Sequence, residues 1–158
     1  MSETPAGLEH ILLQAIKPYQ QGRTAEIGEL CRNILKSAPD EPNALHLLGV
    51  VQLMNGDTAS AAEYLTGAAR VDAGNADILN NLATTLRKSG DTEQAEHFYQ
   101  RAIALGGNSV KSLVNLVNLG RYELALDDYN TALSHNPLHL DARFGRAVTR
   151  LKRSWFTG

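Results

Sequence analysis

Cysteine is nearly absent: Cys31 is the single one in 158 residues, so no disulfide can form within the chain. It sits in an apolar periodic stretch and reads as a buried structural thiol rather than a reactive one. Long apolar runs are absent too. Nowhere do about 18 apolar residues follow one another, and Met1-Ser2-Glu3-Thr4-Pro5 shows no basic segment leading into an apolar one. The expectation is a cytoplasmic protein without membrane insertion. Nor does one sign of charge dominate: 15 basic and 17 acidic residues, mixed along the length, leave a formal net charge of -2. With no basic stripe to neutralise phosphates, nucleic acid is not an expected partner. Gly106-Gly107-Asn108 lacks the spacing and the lysine of a phosphate loop and reads as a helix stop. No cofactor is expected.

What is present is a composition 43% apolar and 20% charged, which suits one compact domain or a short solenoid and argues against disorder. It also carries a period. Gly22, Gly56 and Gly90 are evenly spaced, and Leu45, Leu79 and Leu113 keep the same interval, as do Leu48, Leu82 and Leu116. An interval of about 34 residues sets the architecture before local propensity is weighed. A second set follows it: Ala61 with Ala95, Leu65 with Tyr99, Ala68 with Ala102. The units fall at 8–41, 42–75, 76–109 and 110–139. A capping helix follows at 140–153, with tails at 1–7 and 154–158, and the first unit is the most degenerate.

Each unit reads as two amphipathic helices. In the third, Leu79, Leu82, Ala83 and Leu86 recur at helical spacing before Gly90, and Ala95, Phe98, Tyr99, Ala102 and Ile103 do so after it. Glycine suits the corner because it accepts a left-handed backbone, and the following Asp57 or Asp91 can cap the next helix. The alanines allow close approach while Leu65, Tyr99 and Tyr129 fill the gaps. Pro39 and Pro137 end second helices.

Leu82-Ala83, Gly90, Ala95, Tyr99 and Ala102 resemble the tetratricopeptide repeat family, and the resemblance covers roughly 8 to 153. The hairpin signature of ankyrin units is absent. The resemblance implies an all-α fold, a right-handed solenoid of antiparallel helix pairs whose first helices line a concave groove.

The fourth unit breaks the period. Gly120, Ala125, Tyr129 and Ala132 follow Gly90, Ala95, Tyr99 and Ala102 four positions sooner than the interval requires. Because Leu113 and Leu116 keep step, the loss falls between Leu116 and Gly120 and predicts a short helix near Ser109 to Leu119. The other reading puts the loss in the Gly106-Gly107-Asn108 connection. At about 100° per residue, four residues turn the faces by only about 40°, which a helical stack tolerates.

In the family, the groove side of the first helices holds extended peptides or a partner's helix. Carried onto this chain, the groove positions are Asn43, His46, Leu47, Val50, Leu53 and Met54 in the second unit. In the third they are Asp77, Asn80, Asn81, Thr84, Arg87 and Lys88, and in the fourth Asn115 and Asn118. The apolar and the amide-rich, basic stretches would suit a segment with apolar residues at one end and acidic ones at the other. Ile78-Leu79-Asn80-Asn81-Leu82-Ala83 resembles the repeat region of O-linked N-acetylglucosamine transferases, where asparagines at the Asn81 position bind extended substrates. Asn81 and Asn115 would form a two-rung ladder, since Leu13 and Leu47 hold the upstream places. The plainer reading, that Asn80, Asn81 and Asn115 are solvated helix residues, stays open. The family's carboxylate clamp needs Lys, Asn and Arg; Leu12 and Ile16 hold the first two of those places.

No constellation for catalysis emerges. His135 and His139 share a helical spacing, but Pro137 interrupts it. Asp127-Asp128 reads as a solvated helix face. The chain is expected to be no enzyme but a protein that binds another protein or peptide in its groove. The alternative is a scaffold that self-associates through its ends or convex faces. Ser154-Trp155-Phe156-Thr157-Gly158 bears on that choice: its aromatics fold back, join a neighbour, or begin a further helix. Arg143 and Arg146, where Leu or an aromatic is usual, favour a polar cap.

Overall fold

The structure, a computed structural model, describes residues 22–106 and 109–156. Among these there are eight α-helices and no strand: α1 Thr24–Ser37, α2 Pro42–Met54, α3 Thr58–Val71, α4 Ala76–Ser89, α5 Thr92–Ala104, α6 Ser109–Asn118, α7 Tyr122–His135 and α8 Leu140–Phe156. Leu12, Leu13, Ile16, the 1–7 tail and the first helix of the 8–41 unit lie outside the described residues, as do Gly107 and Asn108. The chain divides into two compact units, 1–73 and 74–158. That boundary falls beside the 75/76 junction expected between the second and third repeats.

The starts of α2 to α5 follow from polar side chains that take the otherwise orphaned first-turn N–H groups, whereas α1 and α7 begin after Arg23 and Arg121 without such a bond. Glu41 accepts from Ala44 N at 2.7 Å, Asp57 from Ser60 N at 3.0 Å, Asn75 from Ile78 N at 3.3 Å and Asp91 from Gln94 N at 3.1 Å. Hydrogen bonds from the Ser60 hydroxyl and backbone N–H hold the Asp57 carboxyl below its usual range. The corners close as the sequence implies. Gly90 sits at φ +94°, its N–H donating to Arg87 O and that of Asp91 to Leu86 O at 2.9 Å. Pro39 and Pro137 stand two residues past the ends of α1 and α7.

In the first unit Ile27, Cys31 and Ile34 of α1 pack on Ala44, Leu48 and Val51 of α2, with Tyr64 of α3 alongside. Ala61, Leu65 and Ala68 of α3 are fully buried. Gly49 marks a close approach of α2 to α3: a Cβ there would stand 2.6 Å from Leu65 Cγ. Cys31 is 1% exposed, and burial pushes its thiol up to about 11.

The second unit centres on Ala83, Ala95, Tyr99, Leu113, Leu116, Val117, Ala125, Tyr129, Leu133 and Ala142, drawn from all five of its helices. The Tyr129 ring lies against α8 at Gly145, where a Cβ would come within 2.4 Å of Tyr129 Cζ. The short helix falls where the period places it. Helix α6 has 10 residues against the 14 of α4, while four residues separate α5 from α6, as four separate α3 from α4. The loss is therefore in the helix, not the connection. Helix α8 runs to Phe156, so Ser154–Phe156 are helical and not the tail expected after Arg153.

These packings set the cost of two kinds of change. Replacing Gly49→Val drives two methyls into Leu65 and should cost about 1–3 kcal/mol in chemical denaturation, whereas Gly28→Ala, which meets only the Arg32 side chain, should be near neutral. Cys31 should react with an aromatic disulfide reagent only after unfolding. Because its thiol titrates higher in the fold than in the open chain, its stabilising share is complete below pH 9 and fades as pH rises towards 11. A fast reaction of the native chain near neutral pH would contradict this.

Candidate functional site

In the first unit the expected groove positions all lie on α2. Asn43, His46, Leu47, Val50 and Leu53 are half-buried, and Met54 is exposed at the helix end. Leu47 packs on the edge of that unit's core. Asn43 Nδ2 donates to Glu41 Oε1 at 3.1 Å, so its amide helps brace the helix start.

In the second unit the polar positions are not equivalent. Asn80 is 3% exposed and works inside the fold: its Oδ1 accepts from Ser112 Oγ at 3.0 Å and from Asn115 Nδ2 at 3.3 Å, tying α4 to α6. Its own Nδ2 is buried without an acceptor among the described residues. Asn81 and Asn115 are half-buried at the helix surfaces. Thr84 turns partly inward, its hydroxyl donating to Asn80 O at 2.9 Å and accepting from Tyr99 Oη at 3.0 Å. Asp77 and Lys88 are exposed, and Arg87 is half-buried with a buried Nε that has no partner among the described residues. Asn118 is exposed and accepts from Lys152 Nζ at 3.4 Å.

That last contact leads to α8, which the groove positions expected from the sequence do not include. One full period followed by one shortened period carries Asp77, Asn80, Asn81, Thr84, Arg87 and Lys88 onto Asp141, Phe144, Gly145, Val148, Leu151 and Lys152 of α8. The capping helix thus repeats the groove positions, with Phe144 and Gly145 in place of the amides. Between α6 and α8 lies a cleft of about 250 Å³, walled by Val114, Val117, Phe144, Val148 and Lys152, with Tyr129 among the residues that line it. Tyr129 Oη is buried without a partner among the described residues, and burial pushes the phenol up. Charge is also less evenly mixed than expected. Arg143, Arg146, Arg150, Lys152 and Arg153 against Asp141 give α8 a formal +4 in a chain of total -2, so everything else carries -6.

Tetratricopeptide repeat models match residues 19–76 and 74–136. The chain belongs to the tetratricopeptide repeat family. It is 33% identical over 114 residues to a TPR repeat-containing protein of Pseudomonas aeruginosa, covering 72% of this chain and 46% of that relative. Among solved structures it is similar to an O-GlcNAc transferase of Thermobaculum terrenum, at TM-score 0.73 and 27% identity over 83% of this chain and 27% of that one. It is similar also to YrrB, a TPR protein with an unusual peptide-binding site, at TM-score 0.66 and 22% identity over 89% of this chain and 74% of the other. The chain thus spans less than half of the Pseudomonas relative. The fold is the all-α tetratricopeptide fold, as the period and corner glycines imply.

Tetratricopeptide repeats typically mediate protein–protein contact and carry no catalysis, and the chemical candidates here are occupied locally. His135 Nδ1 lies 2.9 Å from Thr131 O at the end of α7, while His139 Nδ1 accepts from Ala142 N at 3.4 Å at the start of α8. Asp127 is exposed; burial first, and then the charge of Asp127, raises the half-buried Asp128. No group of three His, Cys, Asp or Glu side chains suited to a metal occurs among the described residues.

Because Asn80 is spent on holding α6, Asn80→Ala should destabilise the fold by about 1–3 kcal/mol, leaving Ser112 and Asn115 facing an empty site. Lys88→Ala, at an exposed position of the same helix, should change it by less than about 0.5 kcal/mol. Urea denaturation of the two variants separates a structural Asn80 from a surface one.

Proposed function

We propose that the chain is a protein–protein interaction module that holds an extended or helical segment of a partner on the face formed by α4, α6 and α8. The observation that carries this reading is the amide cluster of Asn80, Ser112 and Asn115. Its inner member, Asn80, is buried and bonded, so Asn115 stands half-buried on a fixed base, with Asn81 half-buried next to Asn80 on α4.

An asparagine offers two donors and an acceptor, the complement of a peptide unit, so two of them one helix apart can follow a backbone without reading its side chains. Fixing the base lowers the ordering cost of binding, because Asn115, one of the two side chains that meet the ligand, is already restrained. Arg87 and Lys88 at the end of α4 add positive charge for a carboxylate in the bound segment. The likeness to a transferase repeat region and to a peptide-binding repeat protein supports the same reading. On α2, the positions Asn43, His46, Leu47, Val50 and Met54 belong to the same proposal as a second, more apolar contact face.

The second reading, assembly through ends, has one observation behind it: Leu140, Phe144, Leu151, Trp155 and Phe156 of α8 are exposed. The test is a double variant, Asn81→Ala with Asn115→Ala, compared with the parent chain as bait in cell lysate. The expected outcome is an unchanged helical spectrum with at least about tenfold less captured partner, the equivalent of one weakened polar contact per rung. Undiminished capture, with a mass in solution that changes only when Trp155 and Phe156 are replaced, would favour assembly instead.

A further inference from the structure

The cleft between α6 and α8 differs in chemistry from the amide cluster beside it. Its walls are aliphatic and aromatic, Phe144 is 74% exposed at its mouth, and the buried Tyr129 hydroxyl behind it lacks a partner among the described residues. Along α8 the exposed apolar residues Leu140, Phe144, Leu151 and Trp155 fall on one stripe, because about 100° per residue brings them within about 60° of one another. Val148 continues the stripe into the cleft. Arg143 and Arg150, two turns apart, flank it on the side away from the cleft, and Lys152 on the cleft side. Arg146 and Arg153 are turned to Asn130 and Glu123 at 3.1 and 2.8 Å, whereas Arg143 and Arg150 are exposed and turned to no such acceptor among the described residues. Lys152 stands at the cleft with a long 3.4 Å contact to Asn118, and Asp141 is the one carboxylate among the described residues lining it.

We propose that this cleft seats an apolar side chain of an acidic, amphipathic segment of a partner protein, with the segment's carboxylates meeting Arg143, Arg150 and Lys152; this rests on the reading of the chain as a peptide-binding module. Charge decides against a second copy of α8 as the occupant, since it would set +4 against +4 across the stripe. Shape decides against a lipid surface: a basic amphipathic helix suits one in charge, but a bilayer presents no protruding group to fill a concave, walled site. A helical segment lying along the stripe, with apolar residues three and four apart and Asp or Glu beside them, sets an apolar anchor in the cleft and carboxylates against Lys152 on one edge and Arg143 and Arg150 on the other.

The test is to pan a random dodecapeptide display library against the whole chain and to titrate the enriched peptides, synthesised singly, using the fluorescence of Trp155, the chain's one tryptophan. The expected peptides pair an aromatic or aliphatic anchor with several Asp or Glu. Their affinity should fall by about tenfold or more with Phe144→Glu, and similarly with Arg143→Glu plus Arg150→Glu, and should weaken with salt. All three positions are exposed, so the helical spectrum should persist. The inference is overturned if no peptide is enriched, if the enriched peptides are neutral or basic, or if their binding ignores both α8 variants. Enriched peptides that respond to Asn81→Ala with Asn115→Ala but not to the α8 variants overturn this inference and leave the amide face standing. A Trp155 blue shift on phosphatidylserine-containing vesicles, with no peptide enriched, assigns α8 to a membrane surface instead.

Discussion

Close approach of paired helices at a small residue facing a large one is the constraint on which the rest depends. In the first unit Gly49 leaves space for Leu65. In the second, Ala83 and Tyr99 are both fully buried in one cluster, and Gly145 lies against the ring of Tyr129. Each large side chain sits on the second helix of its hairpin, where neighbouring positions are alanines, so the helices can meet backbone to ring. Methyl-scale changes there have nowhere to go.

With the inner faces committed to packing, the opposite sides of α4, α6 and α8 are free to differ. Helix α4 offers amides and cations, α6 a mixture of Val114 with Asn115 and Asn118, and α8 a run of apolar residues edged by arginine. The change in chemistry along the second unit therefore costs the fold little, because the residues that vary are not the ones that hold it. Asn80 is the exception. It faces the polar side by sequence position, yet it is buried and joins α4 to α6.

The fold was almost fully legible because its determinants are local and repeated. Corner glycines at φ +70°, +84° and +94° and the caps Asp57 and Asp91 fall where the period places them, and the short α6 where the period breaks. The candidate face was legible in part. Helical periodicity tells which residues share a side, but not whether an amide on that side reaches water or a neighbouring helix. Nothing local to Asn80 distinguishes it from Asn81; the difference is made by Ser112, which arrives from another helix almost a whole repeat further along the chain. The α8 stripe was missed for another reason. Treating 140–153 as a cap ended the register too early, although carrying the period forward places Phe144 and Val148 on the groove positions.

The shortened helix supplies the last link between period and site. Ten residues of α6 rise about 15 Å and seventeen of α8 about 25 Å, so α8 extends well past its neighbour. The Lys152–Asn118 contact fixes where α6 stops. Beyond it, at the end of α8, Trp155 and Phe156 are both exposed. With four more residues, α6 would match α4 in length and its extra turn would stand against those aromatics, closing the end of the face. The deletion thus leaves the hairpin packing intact, since Tyr129 and Ala125 stay buried, and opens apolar surface beside the cleft. A change that reads in the sequence as a defect in the repeat is, in the folded chain, what gives the α6–α8 end its distinct chemistry.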